Sequence, residues 1–247
     1  MPLSHASPES ITAQLRTLGV APGSTVMVHA SLSKLGPVLG RATGVLDGLL
    51  ASIEPSGTLV MVLGADADEP FVAEETEVDI EDMGVLAEVF RNRDGVKVND
   101  HAAARFAAIG PNAEALLKNP PLHHYHGHGS PLHRLTDLDG SILRLGADLD
   151  TVTLTHWAEY LAEIPNKRLV SRRYVRADIG EQWIDSLDDD DGIIDWPGGD
   201  YFGQILIDFI KAGHALQGPV GDCTADLFSA QKYVHFAVAW MEKNLTQ

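Results

Sequence analysis

His156 and Glu159 stand three residues apart in the stretch Thr151-Val-Thr-Leu-Thr-His156-Trp-Ala-Glu159. On a helix that spacing sets the two side chains next to each other. A carboxylate beside an imidazole orients the ring and makes it a better proton acceptor. A second pair, His29 and Ser31, follows the apolar run Thr25-Val-Met-Val, at the strand end where open α/β sheets collect ligands. The loop Leu122–His133 carries five histidines. His124, His126 and His128 alternate as zinc or nickel ligands do, so a metal-dependent hydrolase using loop 123–133 is the rival chemistry. No His-Glu-x-x-His motif accompanies them, and a structural zinc would want cysteines, so no metal is expected. Each pattern also has a plain structural reading: a satisfied helix histidine beside a solvated glutamate, a surface turn, a polar loop.

Two acidic runs add a charge argument. Asp66 and Asp68 follow the apolar run 57–63, and Asp188 to Asp191 form the second run. Carboxylates at the same sheet end as His29 would hold a cation, either a metal or the ammonium groups of a substrate; otherwise they are solvated loops. The 247 residues carry a formal net charge of -17. That argues against a phosphate-backbone binder, hence against nucleic acid, and suits a polycationic small molecule. The single basic cluster, Arg168, Arg172, Arg173 and Arg176, would neutralise a phosphate-bearing cofactor or offset nearby acids. Cys223, the one cysteine, sits in Gly-Asp-Cys-Thr without a base beside it and reads as a small packed residue, not a nucleophile. No apolar run reaches membrane-spanning length, and Met1-Pro-Leu-Ser-His lacks the basic start of a secretory signal. A cytoplasmic protein, monomer or homodimer, is expected.

The elements that must position these groups are legible in part. Ser7-Pro8-Glu9 opens a helix that Gly19 ends, with Ile11, Leu15 and Leu18 on one face. Thr25–His29 is a strand, Val45 to Ile53 an amphipathic helix, and Gly57–Leu63 a buried strand; that order predicts a right-handed parallel crossover. Ser130 caps a helix begun by Pro131, whose amides would face the histidine loop. Ser141–Leu145 is a strand. The His156 helix is expected to follow Asp148 and Asp150 as capping residues and to bury Leu154, Trp157 and Leu161. Gly218-Pro-Val-Gly221 reads as a turn ahead of terminal helices.

Several stretches in order carry a family resemblance. They are Val28-His29-x-Ser31-Leu32-x-x-Leu35-Gly36, Gly57-Thr-Leu-Val-Met61, Met83-Gly-x-Leu-Ala-Glu-x-Phe90-Arg91, Phe106-Ala-Ala-x-Gly110, Gly129-Ser-Pro-Leu132 and Thr153-Leu-x-His156-x-Ala-Glu159. Together they resemble the aminoglycoside 3-N-acetyltransferases. The resemblance implies an α/β fold with a mixed sheet and flanking helices, distinct from the common acetyltransferase superfamily, in a single domain over 1–247. It implies acetyl-CoA-dependent acetylation of the 3-amino group of an aminoglycoside, with acetylation of a non-antibiotic amine as the alternative within the same chemistry. His156 would be the general base, oriented by Glu159, with His29 near the thioester. Ala30, Ser31, Leu32 and Ser33 would touch the coenzyme arm, and Ser130 is read on the same side. Asn99, His101 and Phe106 fall in a coenzyme-side stretch where Val98, Asn99, Ala102 and Arg105 replace the family's Arg, Ser, Pro and Ser. Arg41 stands where the family has glycine. His126 would face substrate, and Asp66, Asp68, Asp189 and Asp190 would anchor its ammonium groups. Direct transfer is expected, with backbone amides near Ser31 or a protonated His29 stabilising the oxyanion.

Overall fold

The protein is described by a computed structural model covering residues 5–65 and 70–246. Helix α1 (Pro8–Leu18) starts where Ser7 accepts the Ser10 N–H and stops at Gly19, which takes a left-handed φ of 119°. Strand β1 (Thr25–Ala30), the short α2 (Leu32–Leu35), α3 (Arg41–Ile53) and β2 (Thr58–Val62) follow. Strands β1 and β2 are parallel, Thr25 opposite Thr58 and Met27 opposite Val60, as the strand-helix-strand order predicts. Next come α4 (Val85–Arg91), β3 (Lys97–Val98), β4 (Phe106–Ile109), α5 (Ala113–Leu117), α6 (Pro131–Asp137), β5 (Ser141–Leu145) and α7 (Leu154–Leu161). Strands β6 (Leu169–Arg176) and β7 (Gly180–Leu187) form a separate antiparallel pair. The chain closes with α8 (Tyr201–Lys211), β8 (Leu216–Val220), β9 (Cys223–Ser229) and α9 (Ala230–Asn244).

Seven strands make one mixed sheet in the order β3-β4-β2-β1-β5-β9-β8. Its centre, β2-β1-β5, is parallel, and the flanking strands are antiparallel. The central strands are apolar on both faces because helices cover both. Met27, Val60, Ile142 and Phe228 pack under α5 to α9, while Val26, Val28, Met61 and Leu143 pack under α1, α3 and α4. The parallel centre delivers the carboxyl ends of β1, β2 and β5 to one side, where the loop leading into α7 begins.

Three local expectations change. Helix α7 is shorter than the pattern implied, and neither Asp148 nor Asp150 caps it. Thr153 is its N-cap without a side-chain hydrogen bond, and Asp148 pairs with Lys34 at 2.5 Å. Leu161 is 38% exposed at the helix end, so the buried face is Leu154, Trp157 and Ala158. Of the expected Gly218–Gly221 turn, Gly218, Pro219 and Val220 belong to strand β8, and the turn is confined to Gly221 and Asp222 between β8 and β9. Gly and Pro weaken a strand reading, but β8 is an edge strand, where proline is tolerated. Among the described residues no helix is long and apolar enough to cross a membrane.

Candidate active site

Helix α7 holds His156 on its partly buried side, with Nδ1 2.9 Å from Glu159 Oε2. Glu159 is 1% exposed, so it is not the solvated glutamate of the plain reading. Its second oxygen, Oε1, accepts the hydroxyl of Tyr201 at the start of α8, and that hydroxyl accepts the Ile193 N–H at 2.9 Å. A buried carboxylate needs both oxygens occupied, and here they are. With Nδ1–H donated to Glu159, the lone pair of His156 resides on Nε2.

The ring of His126 stacks on that of His156, centroids 4.9 Å apart and planes 7° apart. Burial and the neighbouring His156 push His126 down to about 3. Burial also works against a charged His156, but the hydrogen bond and charge of Glu159, with Asp189 and Asp190 beyond, outweigh it and raise His156 above the ordinary histidine value. The environment therefore separates the stacked pair: His126 is held neutral and His156 is the more basic ring.

Two cavities meet at this helix. One, of about 600 Å³, is lined by Asp150, Asp189, Asp190, Asp195 and Asp200 together with Trp196. The other, about 210 Å³, is lined by His29, Ala30, Met61, Met83, Leu86 and Thr151. His156, Phe202 and Asp150 line both. His29 sits at the end of β1, in register with Arg144 of β5. Burial and the Arg144 charge push it down to about 4, so the ring is neutral at physiological pH and the protonated His29 expected from the sequence gives way to an uncharged one. The Ser31 N–H is bonded to Leu145 O at 2.9 Å, so that amide is spent. The Ser31 and Ser33 hydroxyls lie 3.1 Å apart beyond His29, with Leu32 half-buried between them.

The acidic run sorts itself by burial. Asp188 is buried and held by Arg172 at 2.9 Å. Asp189 accepts the Tyr125 hydroxyl at 2.6 Å and also binds Arg172. Burial would raise Asp189, but the His126 and His156 rings, Tyr125 and Arg172 hold it below the usual carboxylate value. Asp190 is 75% exposed and is raised by partial burial and by its acidic neighbours, against the opposing pull of Arg172. The arginine cluster offsets acids: Arg168 pairs with Asp195, Arg173 with Glu181, and Arg176 with Asp100 and Asp178. Asp66 and Asp68 lie outside the described residues.

Four residues expected on the coenzyme side have structural partners of their own. Asn99 is buried and closes the β3–β4 turn, donating to Ala104 O at 2.8 Å and accepting the Phe106 N–H. His101 Nδ1 accepts the N–H groups of Ala103 and Ala104, and Nε2 donates to Leu122 O at 3.0 Å. Phe106 is core, edge-on to His126. Ser130 is fully buried and spends its hydroxyl on the His133 N–H. Arg105, where the family stretch has serine, donates to Ala73 O at 2.8 Å and pins the segment after the acidic loop. The alternating histidines part company: His126 is buried, His128 packs on Trp157 and His124 on Tyr160. Among the described residues no group of three His, Cys, Asp or Glu is placed to hold a metal ion.

The sequence pattern of the family described as aminoglycoside 3-N-acetyltransferase matches residues 27–242. The chain belongs to this family. It is 34% identical over 264 residues to the aminoglycoside N(3)-acetyltransferase III of Pseudomonas aeruginosa, covering 98% of this chain and 94% of that protein. In structure it resembles AAC-IIIb in its binary complex with CoASH, with a TM-score of 0.93, 33% identity and 97% of each chain covered. It also resembles AAC-VIa bound to sisomicin, with a TM-score of 0.90, 29% identity, and 97% and 98% coverage. In this aminoglycoside 3-N-acetyltransferase family member, the structure also places Tyr201, Phe202, Asp195 and Asp200 at the cavity beside His156, and Tyr125 on Asp189, none of which the sequence singled out. The one available signal was the cluster Asp195-Trp-Pro-Gly-Gly-Asp200-Tyr201-Phe202, a turn of acids and aromatics opening a helix.

Proposed function

We propose that this protein transfers the acetyl group of acetyl-CoA to the 3-amino group of an aminoglycoside, directly and with His156 as general base. The observation that carries the reading is the position of His156, which lines both the acidic cavity and the narrow cleft at the end of β1. The carboxylates of the larger cavity suit a polyamine, and the smaller cleft suits a thioester arm. The CoASH and sisomicin complexes of the two structural relatives support the same pairing of ligands.

An alkyl ammonium has no lone pair and must first lose a proton. His156 Nε2 takes it, and Glu159 stabilises the imidazolium through Nδ1–H. The freed amine attacks the thioester carbonyl carbon, and negative charge builds on the carbonyl oxygen. Neutral His29 and the Ser31 and Ser33 hydroxyls are the donors on that side. Collapse breaks the carbon–sulfur bond; the nitrogen gives up its extra proton, which passes to the departing thiolate, giving amide and CoASH, and His156 returns the first proton to solvent. Asp189, held in place by Tyr125 and Arg172, and the exposed Asp190 anchor other ammonium groups of the drug. The sheet takes β8 and β9 from the chain end beside β5, which supports one domain over 1–247. Acetyl-CoA chemistry with a single free cysteine suits the cytoplasm, with a monomer or homodimer as the working unit.

The test is thiol release from acetyl-CoA with a panel of aminoglycosides, wild type beside His156→Ala. Drug-dependent release lost at least a hundredfold in the variant is expected. Release unaffected by His156→Ala would sink the base assignment, and no release with any drug would sink the substrate assignment.

A further inference from the structure

Tyr201 has no part in the reaction as drawn above. It is the first residue of α8 and 3% exposed. Its hydroxyl donates to Glu159 Oε1 and accepts the Ile193 N–H at 2.9 Å. Gly192, just before Ile193, approaches so closely that a Cβ there would lie 2.8 Å from the same hydroxyl. One oxygen atom therefore touches the carboxylate behind the base and the backbone of the segment whose aspartates line the acidic cavity. The next residue, Phe202, packs its ring 4.8 Å from that of His156.

We propose that Tyr201 is a positioning residue: it holds Glu159 so that one carboxylate oxygen serves His156, and it ties that carboxylate to the substrate-lining segment 189–193. The inference rests on His156 being the base. A carboxylate at the end of a glutamate turns freely about its last torsion. With a fixed donor on Oε1, only the orientation that presents Oε2 to His156 Nδ1 satisfies both oxygens. The donated hydroxyl also shares the negative charge of Glu159, which tempers its hold on the imidazolium and keeps the proton transferable. Burial and the Glu159 charge push the Tyr201 phenol far above its ordinary value, so it remains a donor throughout the working pH range.

Other charged groups face this assembly. Asp189 and Asp190 raise His156 from the cavity side, and the neutral His126 stacks on it. Asp150 lines the cavity with it, burial lowers the Lys167 ammonium against the opposing charge of Glu159, and Asp200 precedes Tyr201 as the cap of α8. A Tyr201→Phe substitution leaves all of these in place and removes one hydroxyl from a ring that keeps its packing.

The experiment compares wild type, Tyr201→Phe, Glu159→Gln and the double variant by kcat/KM against pH, and follows the imidazole titration of His156 by NMR in the unliganded proteins. In Tyr201→Phe the Glu159 charge is shared with His156 alone. The expected result is a rising pH limb and a His156 midpoint moved up by about half to one unit, about a three- to tenfold lower kcat at neutral pH, and a severalfold higher KM for the drug. In the Glu159→Gln background the hydroxyl has no carboxylate to act on, so Tyr201→Phe should move neither the limb nor the midpoint further. An unchanged limb and midpoint in Tyr201→Phe would overturn the proposal, as would an equal shift in the Glu159→Gln background. Full turnover by His156→Ala would remove the base assignment, and the His156 titration would still decide whether Tyr201 holds Glu159.

Discussion

At the scale of single residues, the decisive feature is that Glu159 is buried while serving a histidine. A solvated glutamate at the same spacing would orient His156 weakly and be screened by water. Buried, it outweighs the desolvation that drives His126 and His29 down and keeps His156 raised. The consequence for pH has a definite sign. As the proposed base, His156 must be unprotonated to act, so the rising limb of kcat/KM in the wild type is expected above the ordinary histidine value of about 6.5. Glu159→Gln removes the raising partner and leaves the desolvation, so the limb moves to lower pH while kcat drops roughly ten- to hundredfold, since the imidazolium loses its counter-charge. Rate measurements across pH on the two proteins check this, and a limb that stays in place would show that Glu159 does not set the titration.

At the scale of elements, the β6–β7 pair matters more than its separation from the main sheet implies. Arg172 on β6 bonds Asp188 at 2.9 Å, Asp190 at 2.9 Å, and Asp189 as well. One side chain thus gathers the acidic run that follows β7 and presents Asp189 and Asp190 to the cavity. The histidine loop is fixed to the same strand, His124 N–H donating to Asp185 O at 2.7 Å. Arg172→Ala leaves the buried Asp188 with Arg168, 3.6 Å away, as its one cation, beside the Asp190 and Asp191 N–H groups, and lets the run spread. We expect a loss of about 1–3 kcal/mol in unfolding free energy, less than the full cost of breaking a buried pair because the arginine is partly solvated. We also expect a drug KM raised more than kcat is lowered. Urea unfolding and steady-state kinetics read the two effects, and a KM equal to wild type would show that the acids do not anchor substrate.

At the scale of the whole molecule, the histidines make stability depend on pH. His29 and His126 are held neutral at about 4 and about 3, and His101 is lowered by its burial. The unfolded chain binds protons at these groups first as pH falls. Their stabilisation is therefore fully present above about 6.5 and is lost as pH drops toward 4 and then 3. His156, being raised, contributes with the opposite sign: its stabilisation is present below about 6.5 and is lost as pH rises through its folded value. Three lowered histidines against one raised predict a urea midpoint that falls between pH 6.5 and pH 4, before the bulk of the carboxylates titrate. His126→Phe, which keeps a ring against His156, should flatten that fall. A midpoint constant over this interval would contradict the neutral assignment of the buried rings.

The sequence by itself determined what local chemistry determines. Ser7 and Gly19 bound α1, the apolar runs 25–29 and 57–63 became the parallel central strands, and the three-residue spacing of His156 and Glu159 brought them together on a helix. Those features depend on neighbours along the chain, so motif order and spacing carried the family as well. Only the tertiary structure decided which polar side chains were free to work. Asn99, His101 and Ser130 look like ligand-binding residues in a string of letters, but their hydrogen-bonding atoms are committed to their own turns, loop and helix. The acids and aromatics from Asp195 to Phe202 stand out as a turn, but nothing in the string of letters places them beside His156; the contacts of Tyr201 with Glu159 and of Phe202 with His156 do that. Spacing sets a pair on one helix face; burial and the partners supplied by distant segments decide its charge and its availability.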